Sequence, residues 1–246
     1  MPSYLVTGAS RGIGLGIVTK LLKNRRTSWS PPCAIRRLTA SRSWDEYPKT
    51  HLPSSSSILR LRQHREGRRR AAKVLPDGLD HLINNAGVSF QEGASFETID
   101  LRVFEEELRV NTVAPIEVVR QFLPLVRKSA VKKVVLVSTI ISSLELAPNL
   151  STLAITYGIT KAGLNILARK WAAVLYQEGI TTVTLHPGWV ETDLGVTIKD
   201  WWAKRNPDLK PISVQQSAED VLRVIKEAKL EEKIKLYSHT GDVLPW

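Results

Sequence analysis

The chain is poor in cysteine and lacks any long apolar run. Cys33 is the single cysteine among 246 residues, so no disulfide can form within the chain and we expect a reducing compartment. The histidines and carboxylates are not grouped at metal-ligand spacing, so we predict no metal site. No apolar stretch of about 18 residues and no basic-then-apolar leader is present, which argues against a membrane span and against secretion. These absences favour a cytoplasmic protein.

The composition that is present is typical of one large core. The chain has a mass of 27.5 kDa and 43% hydrophobic residues, enough for a single sizeable domain over residues 1–246. Strand-like apolar segments alternate with helical ones along most of its length. This alternation predicts an α/β fold of three layers, in which a doubly wound parallel sheet lies between helices.

The net charge of +11 is concentrated in one segment. Residues 25–70 hold twelve basic and three acidic residues, a net charge of +9, whereas the rest of the chain has 23 basic and 21 acidic residues. Clustered arginines can bind the phosphates of a nucleic acid. Neither aromatic interleaving nor a recognition helix accompanies the charge, so we favour a solvated segment and do not expect a nucleic-acid partner.

A glycine-rich turn follows the first predicted strand. Residues 4–6 form a short extended run, residues 7–14 read Thr-Gly-Ala-Ser-Arg-Gly-Ile-Gly, and a helical pattern comes next. Glycine lets a ligand approach the backbone, and the free N–H groups of a helix start attract phosphate. The turn therefore predicts a diphosphate cradle, with a plain tight turn as the alternative.

Tyr157 and Lys161 lie four residues apart in an apolar helical stretch. This spacing puts both side chains on one face of a helix. A nearby ammonium favours the phenolate, so Lys161 is expected to lower the pKa of Tyr157 and let it exchange protons at working pH. A tyrosine with a purely structural role is the alternative.

Further motifs follow in a fixed order. Residues 84–87 read Asn-Asn-Ala-Gly after an apolar run, Asn111 lies in a long helical region, residues 134–139 form an apolar strand ending in hydroxyls, and Pro187 and Gly188 follow another strand. With the glycine turn and the Tyr157/Lys161 pair, the chain resembles the single-domain short-chain dehydrogenase/reductases, which bind NAD(H) or NADP(H). It is most similar to their carbonyl- and ketoreductase-like members. The resemblance covers residues 3–23 and 74–246 and fails between them.

The resemblance implies a Rossmann-type sheet and an oxidoreductase that interconverts a carbonyl and an alcohol. Tyr157 would donate the proton, Lys161 would lower its pKa and bind the nicotinamide ribose, and Asn111 would hold a relay water through a helix irregularity. Thr139 stands where the family has a serine that positions the substrate carbonyl, with Ser142 and Ser143 as alternatives. Threonine retains the hydroxyl and adds a methyl group.

The resemblance also assigns a cofactor site. Arg11 lies within the glycine turn, where a guanidinium suits the 2′-phosphate of NADP(H), so NADP is preferred over NAD. Arg36 or Arg37 would add to it if residues 33–37 formed the second strand. The predicted cofactor-binding residues are Gly8, Ser10, Arg11, Gly12, Ile13, Gly14, Asn85, Ala86, Gly87, Tyr157, Lys161, Pro187, Gly188, Val190 and Thr192.

The substrate is predicted to be a small apolar carbonyl compound or alcohol. Residues 193–216 would close over it, and Trp201 and Trp202 in that stretch suggest an apolar or aromatic ketone or aldehyde. Tryptophans that anchor a subunit contact are an equal alternative. Family members pair through the helices at 100–127 and 155–178, which implies a homodimer or homotetramer.

Residues 25–70 depart from the family pattern. They occupy the place of the second and third strands, which bind the adenosine, but their composition is foreign to it. A segment translated in the wrong frame is one explanation. The main alternative to an enzyme is therefore a family member with a damaged adenosine site, catalytically impaired or inactive, that serves as a scaffold or has no function.

Overall fold

A computed structural model describes residues 2–23, 71–73 and 75–246. The predictions made for residues 25–70 and for Arg36 and Arg37 fall outside these residues. No helix within the described ranges is long and apolar enough to cross a membrane.

Six strands of the described residues form one sheet, in which sequence order is also spatial order. The first five strands are parallel and the sixth is antiparallel to the fifth. Because the strands run the same way, their carboxyl ends meet at one edge of the sheet. The strands are β1 Tyr4–Val6, β2 His81–Asn84, β3 Lys133–Val137, β4 Thr181–Leu185, β5 Leu236–Tyr237 and β6 Val243–Leu244.

Helices connect and cover these strands. A single π-helical turn, Arg109–Val113, joins α2 to α3, and short 3₁₀ turns at Ile140–Ser142 and Ala147–Leu150 follow β3. Within residues 2–23 and 75–246, the α-helices are α1 Gly12–Lys23, α2 Leu101–Leu108, α3 Ala114–Lys128, α4 Ile155–Tyr176, α5 Asp193–Val196, α6 Lys199–Arg205 and α7 Val214–Glu227.

Alternate residues of each strand build a core on opposite faces of the sheet. Ile83 and Val135 pack on one face with Ile17 of α1 and with α7. Their neighbours Leu82 and Val134 pack on the other face with α3. This period of two is what a strand imposes, and it buries both faces as a parallel sheet requires. The predicted three-layer α/β architecture and single domain are confirmed.

Candidate active site

The glycine turn lies against the segment that follows β2. Gly8 and Gly12 have φ angles of +67° and +54°, in the left-handed region that favours glycine. A Cβ at Gly8 would lie 2.8 Å from the Cα of Ala86, so the two segments touch through backbone. The hydroxyl of Thr7 accepts hydrogen bonds of 3.1 Å from the backbone N–H groups of Asn85 and Ala86. Two glycines and the Thr7 hydroxyl therefore determine the conformation of this turn and its position against the segment after β2.

Gly14 lies on the inner side of the turn. A Cβ there would lie 2.6 Å from Nδ2 of Asn85, which itself donates to the carbonyl of Thr7. Gly14 thus permits the close packing of α1 and does not line the cavity that opens above the turn.

A cavity of about 1070 Å³ runs along the carboxyl edge of the sheet. The glycine turn lines one end and the start of α4 lines the other. Asn111 and Gly14 are the two predicted site residues that it does not touch. Those it brings together are Gly8, Ser10, Arg11, Gly12, Ile13, Asn85, Ala86, Gly87, Thr139, Tyr157, Lys161, Pro187, Gly188, Val190 and Thr192.

Tyr157 and Lys161 share the inner face of α4, as their spacing predicts. Tyr157 is 9% exposed and Lys161 is 2% exposed. The Nζ of Lys161 lies 5.8 Å from the centroid of the Tyr157 ring and donates a 2.9 Å hydrogen bond to the carbonyl of Val137. A Cβ at Gly87 would approach this ammonium to 3.3 Å, so glycine leaves room for it. The β3 end and α4 are joined at the ammonium.

Burial controls the acidity of both groups. It lowers the pKa of Lys161 to about 8, because the charged form loses water. It also raises the pKa of Tyr157 well above 10, and the negative charge of Glu107 raises it further. The expected lowering of the Tyr157 pKa by Lys161 is therefore wrong for this structure. The loss of water around the phenolate is the larger cause of the rise in the Tyr157 pKa, and the charge of Glu107 is the smaller one.

Asn111 lies within the π-helical turn and is fully buried. Its amide oxygen accepts from the N–H of Val88 at 2.9 Å, and its nitrogen donates to the carbonyl of Val88 and to Oγ1 of Thr160. The helix irregularity expected at Asn111 is present. Its side chain joins the segment after β2 to α4, directly behind the cavity wall.

Thr139 is the predicted hydroxyl that reaches the cavity. Its Oγ1 accepts a 3.2 Å hydrogen bond from the N–H of Ile141 and caps the 3₁₀ turn. Ser142 donates to the carbonyl of Thr139, and Oγ of Ser143 accepts from the N–H of Leu146. Neither alternative serine lines the cavity.

The segment after β4 forms the opposite wall. Gly188 has a φ of +91°, and the carbonyl of Pro187 accepts a 2.7 Å hydrogen bond from Ser217 of α7. Thr192 caps α5 by accepting from the N–H of Gly195. The sequence did not indicate the neighbouring His186, which is buried against the cavity and whose pKa burial lowers to about 3. At neutral pH this histidine is uncharged.

Arg11 and Asp193 meet at the mouth of the cavity. Their side chains are joined at 2.6 Å, although 65% of Arg11 and 76% of Asp193 remain exposed. An ion pair this exposed contributes little to stability. Arg11 can therefore exchange this carboxylate for another anion at small cost.

Aromatic and aliphatic side chains line the end of the cavity beyond Thr139. Trp189 and Trp202 stack with ring centroids 6.2 Å apart, and both face the cavity together with Leu194. Trp201 does not line it, because its Nε1 donates to Thr152 and the guanidinium of Arg205 lies 4.1 Å above its ring. Sequence reasoning missed Trp189, although its position next to Gly188 was a usable signal.

Comparisons with known proteins identify the family. The family model described as short chain dehydrogenase matches residues 3–203. An uncharacterized oxidoreductase of Schizosaccharomyces pombe is 30% identical, with 99% of this chain and 97% of that protein covered.

Two solved structures are similar over their whole length. The NADPH-bound carbonyl reductase from chicken fatty liver is 26% identical, with a TM-score of 0.75, covering 100% of this chain and 99% of that one. A carbonyl reductase from Pseudomonas aeruginosa in complex with NADP is also 26% identical, with a TM-score of 0.68 and 100% of both chains covered. The resemblance inferred from the motifs is confirmed, and the chain belongs to the short-chain dehydrogenase family.

Proposed function

We propose that the protein is an NADP(H)-dependent reductase that interconverts a small apolar ketone or aldehyde and its alcohol. The observation that carries this proposal is one continuous cavity with the glycine turn at one end and Tyr157, Lys161 and Thr139 at the other. The carbonyl reductases named above, solved with NADPH or NADP, support the choice of cofactor and reaction.

The residues present fit a dinucleotide. The left-handed glycines and the start of α1 leave backbone open to a diphosphate. Val190 and Thr192 line the same cavity, and a Cβ at Gly12 would lie 3.4 Å from Cγ2 of Thr192. Arg11 at the mouth favours NADP over NAD, because its guanidinium matches a 2′-phosphate better than a diol. When bound, the nicotinamide would supply or accept the hydride.

Tyr157 is the proton donor in this proposal. Burial and the charge of Glu107 raise the pKa of its phenol, so the group stays protonated at neutral pH and has a proton to give. Lys161, with a pKa of about 8, is mostly charged at pH 7 and stabilises the phenolate that forms. Burial keeps the Tyr157 phenol protonated before the reaction, and the Lys161 ammonium stabilises the phenolate once the proton has been transferred.

Thr139 orients the substrate oxygen. Its Oγ1 is an acceptor for Ile141, and within the described part of the chain its own proton is donated to no residue. That proton is therefore available to a carbonyl oxygen placed beside Tyr157. Trp189, Trp202 and Leu194 favour an apolar, preferably aromatic, body for the same substrate.

The assembly and location remain part of the proposal. Apolar side chains stand exposed on the outer face of α4 at Ile159, Ile166 and Val174. Such a stripe suits pairing with a second copy, so we retain the homodimer or homotetramer, and the cytoplasmic location, as predictions.

A binding and turnover assay tests the proposal. NADPH should quench or shift the tryptophan fluorescence at micromolar concentration, and its absorbance should fall when aromatic ketones and aldehydes are added. NADH at equal concentration serves as the matched control and should support less turnover. Absence of any NADPH binding would instead favour the impaired scaffold.

A further inference from the structure

Asn165 continues the spacing of the catalytic face of α4. It lies four residues after Lys161 and eight after Tyr157, so all three project from the same side of the helix. Asn165 is 4% exposed and does not line the cavity. It lies beneath the 138–142 segment, which follows β3 and carries Thr139.

Both ends of the Asn165 amide are hydrogen-bonded to that segment. Ser138 donates a 2.6 Å hydrogen bond to Oδ1 of Asn165, and Nδ2 donates at 2.8 Å to Oγ of Ser142. Ser142 in turn donates at 2.5 Å to the carbonyl of Thr139. The two serines are also within 3.3 Å of each other. One amide therefore clamps both sides of Thr139.

The direction of these bonds is fixed. The proton of Ser142 is committed to the carbonyl of Thr139, so Ser142 can only accept from Asn165. Nδ2 must then face Ser142, and Oδ1 is left as the acceptor for Ser138. This hydrogen-bond network has a single consistent arrangement of donors and acceptors. A buried polar group that lost its partner in the network would lower the stability of the fold.

The hydrogen bonds from Asn165 and Ser142 determine how the Thr139 hydroxyl faces the cavity. With its carbonyl held by Ser142, Thr139 stays extended at φ −156° and ψ 154°, and its Oγ1 caps Ile141. The hydroxyl proton then has no described partner and remains free for a ligand. Lys161 holds Val137, two residues before Thr139, through its carbonyl. α4 thus carries both the phenol and the supports of the hydroxyl beside it.

The geometry points to Asn165 as a positioning residue that sets the place of the Thr139 hydroxyl relative to Tyr157. This inference rests on the proposed function, since Thr139 matters there by holding the substrate oxygen. It differs from a purely structural role, in which the amide would only satisfy buried groups and its loss would not depend on Thr139.

A double-mutant cycle separates the two roles. Asn165→Leu keeps the size of the side chain and removes both hydrogen bonds, and Thr139→Val keeps the shape and removes the hydroxyl. We expect Asn165→Leu to lower kcat/KM for carbonyl reduction about tenfold to hundredfold, with NADPH affinity within about twofold of the parent. In the Thr139→Val background the same change should lower it less than about twofold. An equal loss in both backgrounds would overturn the inference.

Two further variants guard against misfolding. Ser142→Ala cuts the same chain at its last link with less disturbance, and its loss should also vanish in the Thr139→Val background. Ser129→Ala is the matched control, because Ser129 is buried and hydrogen-bonded to Asp80 far from the cavity. It should lower Tm and leave kcat/KM unchanged in either background.

Crystal structures of the parent and of Ser142→Ala and Asn165→Leu supply a readout that needs no turnover. The hydrogen bond from Ile141 to Thr139, 3.2 Å in the parent, should be lost in the variants. An unchanged 138–142 segment would overturn the inference. If the parent oxidises no NADPH, the proposed function fails, and the crystal comparison still decides whether Asn165 holds Thr139.

Discussion

The two ends of the cavity are built from different parts of the chain. The glycine turn is shaped by backbone: two of its glycines have left-handed φ angles, and the close approach to Ala86 leaves no room for a side chain at Gly8. The other end is shaped by buried side chains on α4, which are held by hydrogen bonds to the β3 end. A backbone-built site is specified by residue identity at a few positions. A side-chain-built site depends on what the fold brings around it.

The difference matters most for electrostatics. At the turn, the N–H groups of a helix start attract an anion whatever surrounds them. At the α4 end, the same lysine and tyrosine change their acidity with burial, as the opposite shifts of their pKa values demonstrate. The predictions below act on one end at a time, so each can show whether the two ends are independent.

Loss of the phenol should have the largest effect. Tyr157→Phe removes the proton donor and keeps the ring, so kcat for carbonyl reduction should fall about 10²- to 10⁴-fold. NADPH affinity should stay within about twofold, because the diphosphate cradle is at the other end. Tyr176→Phe is the matched control on the partly exposed end of the same helix and should be silent. Full turnover by Tyr157→Phe would remove Tyr157 as the donor. Stopped-flow absorbance of NADPH measures the binding of the cofactor and the rate of its oxidation.

A side chain in the glycine turn should act on the opposite end. Gly8→Ala places a Cβ 2.8 Å from Ala86 at a φ of +67°, so NADPH affinity should fall about tenfold or more. Gly179 has the same φ with open space around it, and Gly179→Ala should cost only about 1–2 kcal/mol of strain. Gly93→Ala, in open space, should change neither property. Fluorescence titration and thermal unfolding compare the three, and equal losses at Gly8 and Gly179 would contradict this account.

More of the glycine-turn end of the cavity than of the α4 end could be predicted from the sequence. Glycine identity encodes a backbone conformation, so the turn was predictable from residues 7–14. Its contact with the segment after β2 was not predicted, because that contact is set by the pairing of β1 with β2. The spacing of Tyr157 and Lys161 likewise predicted a shared helix face. The direction of the Tyr157 pKa was not predictable, because burial comes from the whole fold. Asn165 was missed for the same reason, although it extends that spacing by one more turn.

The pH dependence tests the α4 end with a defined sign. Lys161 has a folded pKa of about 8, below its usual 10.5, so the unfolded chain binds more protons between these values. The contribution of Lys161 to stability should therefore rise with pH over pH 8 to 10.5. Turnover should fall in the same window, because the ammonium is lost. Profiles of kcat/KM and of Tm for the parent against Lys161→Met measure both trends. Lys170→Met, exposed on the same helix, is the control. If stability and turnover of the parent both rose, or both fell, between pH 8 and 10.5, the assignment to Lys161 would be contradicted.

The smallest effect is expected at the mouth of the cavity, where Arg11 and Asp193 form a solvent-exposed ion pair. Arg11→Gln should weaken NADPH binding about tenfold and leave NADH binding nearly unchanged, because the lost partner is the 2′-phosphate. Asp193→Asn should do the reverse and favour NADPH slightly, since it frees the guanidinium. Neither change should move Tm by more than about 1 °C, given the low stability contribution of exposed pairs. Titration of each variant with both cofactors decides the matter: equal weakening for NADPH and NADH would mean that Arg11 only shapes the turn, and that cofactor choice depends on residues elsewhere in the chain.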